Sequence, residues 1–322
     1  MARHSIPDII EPQAGPVAAG ARPLAVNLVL SLRPAQWTKN LIVFAALLFS
    51  GRLIVLDSVI RSIEAFVIFC LLSGVVYLIN DVADREADRQ HPLKRSRPIA
   101  SGQVSVAAAL STAAVLGAGA LAWAFWVATP FGILDAAYVG LQAMYSGPLK
   151  HIVIIDVLTI AVGFVLRAAA GAVAIAVTFS EWLLIMTILL ALFMALSKRR
   201  HELVLLADTA KGHRRILEEY SPYLLDQMIS VVTASTLVAY AIYTVSPDTI
   251  AKFHTNKLGL TLPFPLYGIF RYLYLVHQKE GGGSPSEMLL NDRPLLICVA
   301  LWAAVVAVII YGAPALLQRP TS

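Results

Sequence analysis

Apolar and polar residues alternate along this chain in long blocks rather than at the short periods of amphipathic helices or strands. The apolar blocks recur near the roughly 20 residues that carry an α-helix across bilayer hydrocarbon. Nine of them predict spans, over residues 26–50, 59–80, 104–127, 131–147, 152–177, 181–197, 222–246, 258–277 and 294–317. Polar or helix-breaking segments divide them, notably Gly51-Arg52, the loops 81–103 and 198–221, Gly147-Pro148, and Gly281 to Gly283. The division at Pro130 is the least marked, because the uncharged stretch 104–134 is too long for one span and just long enough for two.

The predicted fold is therefore an all-α polytopic membrane protein with nine transmembrane helices in a single domain, residues 23–318. Residues 1–22 hold Pro7, Pro12 and Pro16 among small and charged residues, with no apolar run suited to a signal segment, and are expected to form a disordered cytoplasmic tail. Loop charge sets the orientation, since cytoplasmic loops collect Lys and Arg. With the N-terminus cytoplasmic and the C-terminus outside, 18 of the 25 cations fall on the inner side and only Arg52, Arg61, Lys252, Lys257 and Arg319 on the outer. The expected location is the inner (plasma) membrane.

Composition agrees with a lipid solvent. Of 322 residues, 58% are hydrophobic and 14% charged, and the mean hydropathy is +0.73. That excludes an ordinary soluble domain, which carries about 25% charge. The net charge of +5 and pI near 9.2 are absorbed by the inner loops, so no nucleic-acid partner is expected. The only cysteines, Cys70 and Cys298, lie in apolar runs and form no disulfide or metal spacing.

Two inner loops are long and densely charged. The first contains Asn80, Asp81, Asp84 and Asp88, then Lys94, Arg95 and Arg97 between Pro92 and Pro98. If the second span continues as helix, Asn80, Asp84 and Asp88 at i, i+4 and i+8 share a face, and Asp81 nearly does. Stacked carboxylates repel unless a cation sits among them, and an all-oxygen set suits Mg²⁺ held together with substrate phosphates. Cations beside such a face suggest a diphosphate. A solvated helix end with internal Asp–Arg pairs, and cations that serve only topology, are the plain alternatives. The second loop begins Ser197-Lys198-Arg199-Arg200-His201-Glu202. It reads either as a second phosphate-binding wall or as a helix-surface Lys198–Glu202 pair.

Charges inside spans are costly and normally face a polar cavity. Asp156 and Arg167 fall near one azimuth of the fifth span, with Thr159 and Gly163 between them. Asp156 is open to three roles: substrate hydroxyls, the metal, or pairing with Arg167 or Lys150. Lys150 follows Tyr145 at the start of that span, Arg271 sits in the eighth, and Arg33, Gln36, Trp37, Lys39 and Asn40 crowd the start of the first. Snorkelling is the alternative for Lys150 and Arg271.

The run Asn80-Asp81-x-x-Asp84-x-x-x-Asp88 and the His-Pro-x-Lys-x-x-Arg-Pro-Ile-Ala-x-Gly that follows closely resemble the UbiA superfamily of intramembrane polyprenyl-utilising transferases. The resemblance covers nearly the whole chain after residue 26. It implies a UbiA-type bundle around a central cavity, with Asn80, Asp81, Asp84 and Asp88 as ligands for a Mg²⁺-diphosphate. Within the superfamily, the segments at Arg33 to Asn40, Tyr145 to Lys150, Leu166 to Gly171, Lys198 to Leu203 and Phe270 to Tyr272 are similar to the branch that moves 5-phosphoribose. Its donor is phosphoribosyl diphosphate (PRPP) and its acceptor a polyprenyl phosphate.

One departure points the same way. Where the superfamily usually has a second acidic cluster, this chain has Lys198, Arg199, Arg200 and His201 with one carboxylate, Glu202. Cations there suit a metal-free phosphate such as the 5-phosphate of PRPP. The expected chemistry is therefore Mg²⁺-dependent, with Asp81, Asp84, Asp88 and Lys39 as catalytic residues. Substrate contacts are expected from Arg33, Lys39, Asn40, Lys94, Arg95, Arg97, Tyr145, Lys150, Asp156, Arg167, Lys198, Arg199, Arg200, Glu202 and Arg271. Lys39, Lys150, Arg167 or Arg271 would orient an acceptor that is already an anion. The lipid bilayer is the other partner, and the Gly-containing helix faces leave a homo-oligomer open. An aromatic prenyltransferase using a polyprenyl diphosphate is the enzymatic alternative. A transporter is disfavoured by the lack of an internal repeat and by charge concentrated on one membrane face.

Overall fold

The computed structural model describes residues 22–91, 94–207, 219–278 and 285–317. The expected tail, Pro92, and the loop cations Lys211, Arg214, Arg215 and Lys279 lie outside the described residues. All regular structure among the described residues is helical. Six helices among the described residues are long and apolar enough to cross a membrane: α3 (Leu56–Ala83), α5 (Val106–Val127), α7 (Ile155–Ala174), α8 (Glu181–Ala207), α9 (Pro222–Val245) and α13 (Arg293–Leu317). Large apolar side chains face outward along them, including Val115, Val231 and Val308, as lipid-facing surfaces require. The chain is a multi-pass membrane protein.

Of the other three expected spans two are interrupted, and the one at 131–147 is a continuous helix made less apolar by Asp135 and Gln142. The run at 26–50 is not one helix: α1 (Leu24–Ser31) stops, Arg33 takes a left-handed backbone with φ 53°, and a 3₁₀ helix (Pro34–Phe44) leads into the short α2 (Ala45–Phe49). Pro34 accounts for the break, because it disfavours helical geometry in the residue before it. The 131–147 run forms α6 (Thr129–Ser146), entered through the extended Ala128 and Pro130. The run at 258–277 splits into a 3₁₀ turn (Lys257–Thr261) and α11 (Pro263–Gln278). Short α10 (Pro247–Phe253) and α12 (Pro285–Asn291) complete the helices beside α4 (Arg85–Gln90).

Two further corrections shape the site. The second span does not continue unbroken through Asp88. It ends at Ala83, Asp84 leaves helical geometry (φ −89°, ψ 6°), and α4 resumes at Arg85, although the Asp84 and Asp88 N–H groups still donate to the Asn80 and Asp84 carbonyls. The sixth span runs ten residues further than the expected end at 197, to Ala207. No Gly or Pro interrupts 197–207, and Lys198 and Arg199 both reach Glu202 within the helix. The basic loop thus begins as the last turns of α8.

Neighbouring helices pack in chain order from α5 to α9, with α3 against α5 and the 3₁₀ helix wedged between α3 and α7. One core joins Val43, Phe69, Leu72, Phe131 and Tyr138; a second joins Phe193, Leu196, Leu225, Ile229 and Tyr272. Lipid tails are as apolar as these side chains, so close backbone approach rather than water exclusion holds such helices together. Gly171 makes the closest approach. A Cβ there would lie 2.2 Å from the Val43 carbonyl oxygen. Gly171→Ala is expected to lower stability by about 1–3 kcal/mol, the usual cost of overpacking. Thermal unfolding in detergent reads this, and an unchanged midpoint would show that the 3₁₀ helix yields freely.

Candidate active site

The acidic run after α3 and the basic loop that follows it meet at one end of the bundle, where α3 ends. Arg33, thrown inward by its left-handed backbone, lies over the Tyr77 ring (4.6 Å to the centroid) and donates Nη2 to Asp81 Oδ1. Arg97 reaches back from the loop to donate Nη1 to both Asp81 Oδ1 (3.2 Å) and Asp88 Oδ2. Lys94 Nζ stands 3.8 Å from Asp88 Oδ1. The loop itself is pinned by Arg89 Nε donating to the Ala100 carbonyl (3.0 Å).

Asp81 and Asp88 are buried, at 4% and 3% exposure, while Asp84 and Arg95 are exposed and Asn80 is half-buried. The expected shared face of Asn80, Asp84 and Asp88 is therefore corrected: the break at Asp84 turns that carboxylate outward and leaves Asp81 and Asp88 as the inward pair. Arg97 sits between them where any bridging cation would. Among the described residues no three His, Cys, Asp or Glu side chains form a ready cage for a metal. The arrangement fits Mg²⁺ nonetheless, since that ion is usually held by one or two carboxylates and fills its octahedron with water and phosphate oxygens.

A second cluster is buried deeper. Arg199 Nε donates to Asp156 Oδ2 (2.8 Å), Nη2 to the Tyr145 hydroxyl (3.0 Å) and Nη1 to Glu202. Asp156 is 0% and Arg199 1% exposed. Tyr220 donates to Asp156 Oδ1 (2.9 Å) and accepts the N–H of Ile154 (2.8 Å), whose backbone is held at φ 68°. A β-branched residue there is strained, and the Tyr220 clamp is what holds it. Burial, with the Asp156 carboxylate adding to it, pushes the Tyr220 hydroxyl up to about 12, so it keeps its proton and remains the donor. Asp156 thus pairs with Arg199, not with Arg167 or Lys150.

Arg167 and Asn40 form a third network. Arg167 donates Nε to Asn40 Oδ1 (2.8 Å) and Nη2 to the Tyr138 hydroxyl (2.7 Å), with its guanidinium 4.5 Å from the Tyr138 ring centroid. Asn40 in turn donates toward Ser73 Oγ (3.3 Å). Both are buried, and they spend their polar atoms on the join between the 3₁₀ helix, α3, α6 and α7. Lys39 is half-buried beside Asn40, and Lys150 is half-buried on the 3₁₀ turn Leu149–His151.

The expected wall of three cations does not form. A helix turns about 100° per residue, so consecutive side chains diverge. Lys198 lies 3.7 Å from Glu202, Arg199 points into the core, and Arg200 pairs with Asp226 of α9, where His277 also stands 3.3 Å away. Arg271 is likewise elsewhere: it forks onto Asp292 (2.8 and 3.2 Å), whose Oδ1 also accepts from the Leu295 N–H at the start of α13. Those hydrogen bonds hold the Asp292 carboxyl below the usual carboxylate range. Tyr77, Tyr138, Tyr220, Asp226 and Asp292 escaped the sequence reading. Asp226 and Asp292 carried a signal, as acids at span ends, but nothing in the linear order names their partners.

This bundle is similar to that of a solved UbiA homolog from Archaeoglobus fulgidus bound to GPP and Mg²⁺, with a TM-score of 0.65 at 18% identity over 88% of this chain and 99% of that one. Fold and site together define the class: an intramembrane protein of the UbiA fold with a paired-carboxylate, arginine-rich end. The chain belongs to the UbiA prenyltransferase family, whose pattern matches residues 40–291, and it is a transferase. It is 36% identical over 312 residues to the decaprenyl-phosphate phosphoribosyltransferase of Mycolicibacterium smegmatis, covering 93% of this chain and 97% of the relative. The Corynebacterium glutamicum protein of the same name is 33% identical over 90% of this chain and 89% of its own length.

Proposed function

We propose that the protein transfers 5-phosphoribose from PRPP to a polyprenyl phosphate of decaprenyl type, with Mg²⁺. Pyrophosphate leaves and polyprenyl-phosphoryl-5-phosphoribose forms, a precursor of lipid-linked arabinose for cell-wall glycans. The site faces the cytoplasm from the inner membrane. The observation that carries this reading is the end-to-end similarity to phosphoribosyltransferases, which extends through the basic Lys198-Arg199-Arg200 segment.

In the reaction the anomeric C–O bond to pyrophosphate breaks and an acceptor phosphate oxygen bonds to that carbon. The acceptor is already an anion, so no residue need remove a proton from it. The buried Asp81 and Asp88, joined from the exposed side by Asp84 with Asn80 alongside, would hold Mg²⁺, which supplies charge neutralisation on the donor diphosphate. Arg33, Arg97 and Lys94 neutralise the inward acids when no substrate is bound, and turn toward phosphate oxygens when it is. Arg95, exposed on the same loop, adds a fourth cation for the departing pyrophosphate. Arg199 is buried against Asp156 and Arg200 is held by Asp226, whereas Lys198 stands 3.7 Å from a partly exposed Glu202, so the 5-phosphate is assigned to Lys198 with Lys150 at the same end. Arg199 acts as a positioning residue that fixes Tyr145 and Asp156. Lys39 orients the acceptor by charge and position.

The test is transfer of label from PRPP to polyprenyl phosphate by the purified protein in detergent, with and without Mg²⁺, beside polyprenyl diphosphate offered with 4-hydroxybenzoate. Label entering lipid from PRPP only is expected. Transfer in the aromatic reaction alone would overturn the reading. Asp84→Ala separates catalysis from folding, because the exposed Asp84 side chain has no partner among the described residues. It is expected to lose about 10²-fold or more in turnover with an unchanged thermal midpoint. A lowered midpoint would show that Asp84 supports the fold instead.

A further inference from the structure

At the end of the bundle away from Asp81, a cavity of about 350 Å³ opens between the end of α2, the 176–180 segment and α10. Helix α3, 28 residues long, separates the two ends by about 42 Å at 1.5 Å per residue. Arg52 and Lys252 line the cavity from separate elements, with Thr178 and Ser180 beside them and Phe49 and Leu183 forming an apolar wall. No carboxylate among the described residues lines it. Arg52 is held in place: its Nη1 donates to the Ile175 carbonyl (3.1 Å), and Ala176, with φ 51°, turns the chain away just beyond. Lys252 extends over the Phe253 ring, 5.3 Å from its centroid.

These two cations stand on the face where positive charge is scarce, since the sequence assigns only five of 25 Lys and Arg to it. Topology therefore does not account for their meeting in one cavity. Two cations on facing elements, flanking hydroxyl donors, and room well beyond a monatomic ion suit a tetrahedral oxyanion. The adjoining apolar wall, at a membrane surface, suits an ester group attached to it.

We infer that this cavity is a phosphate-binding site on the face opposite the transferase centre, taking either the phosphodiester head of an anionic lipid or a free phosphate. It is independent of the transfer reaction, because neither Arg52 nor Lys252 belongs to the machinery at Asp81.

Full-length protein in phosphatidylcholine nanodiscs tests it, with phosphatidylglycerol added in one arm and inorganic phosphate in the other, read by thermal midpoint and by binding titration. The variants are Lys252→Gln and Arg52→Gln. The Lys252 side chain makes no hydrogen bond among the described residues, so its replacement leaves the fold in place even where loss of the Arg52–Ile175 bond disturbs it. Protection by phosphatidylglycerol, weakened about tenfold in Lys252→Gln as expected for one charged contact, establishes a lipid-head site. The same dependence with inorganic phosphate establishes a free-anion site. Equal response of wild type and Lys252→Gln to both probes overturns the proposal.

Discussion

Asp81→Asn is expected to reduce transfer by about 10²–10³-fold, the effect of removing one preorganised electrostatic group from a water-poor site. The physical reason lies in the charge arrangement. The Asp81 carboxylate is 4% exposed and receives both Arg33 and Arg97, so it is the point where the first span, the end of α3 and the basic loop are joined. Asparagine keeps the shape but removes the negative charge. Arg33 and Arg97 are then less well held, and under the proposed function Mg²⁺ would lose one of two inward carboxylates and the donor diphosphate would meet a site with the wrong balance of charge. Raising Mg²⁺ is expected to recover part of the loss, because weakened binding yields to concentration whereas a purely structural defect does not. Steady-state transfer across a Mg²⁺ series measures this, and an Asp81→Asn protein with full activity at ordinary Mg²⁺ would remove Asp81 from the metal site.

The largest stability effect is expected at Arg199. Arg199→Met should cost about 3–5 kcal/mol, the range for breaking a buried ion pair by removing one partner. It strands Asp156, fully buried, with only the Tyr220 hydroxyl left to it among the described residues. Asp156→Leu should cost less, since Arg199 keeps Glu202 and Tyr145. The double variant Asp156→Leu with Arg199→Met is expected to recover most of the loss, as apolar replacements for buried pairs commonly do. Unfolding in mild detergent gives the three values. If Arg199→Met costs under about 1 kcal/mol, the pair is not the clamp between α7 and α8 that its geometry implies.

Activity should separate the double variant from wild type even where stability is regained. Without Arg199, the Tyr145 hydroxyl loses its hydrogen-bond partner among the described residues.

Hydrophobic block length was enough to determine that this is a polytopic helical membrane protein, because the bilayer demands about 20 apolar residues per crossing and little else in sequence space meets that demand. The acidic run at Asn80 to Asp88 and the loop at Lys94 to Arg97 were legible for a related reason: carboxylates and cations at a membrane surface are conspicuous in a chain with 14% charge. Partnership was not legible. Asp156 and Arg167 share an azimuth along one helix, yet Asp156 bonds to Arg199, 43 residues on, and Arg167 to Asn40, 127 residues back. Periodicity describes which way a side chain points from its own helix, whereas the partner it meets depends on how two helices are docked. The same holds for Lys198, Arg199 and Arg200, one basic cluster in sequence and three separate contacts in space. Only the tertiary structure decided these, because each guanidinium in a low-dielectric interior must be met by an acceptor, and the acceptor is supplied by whichever helix packing brings near.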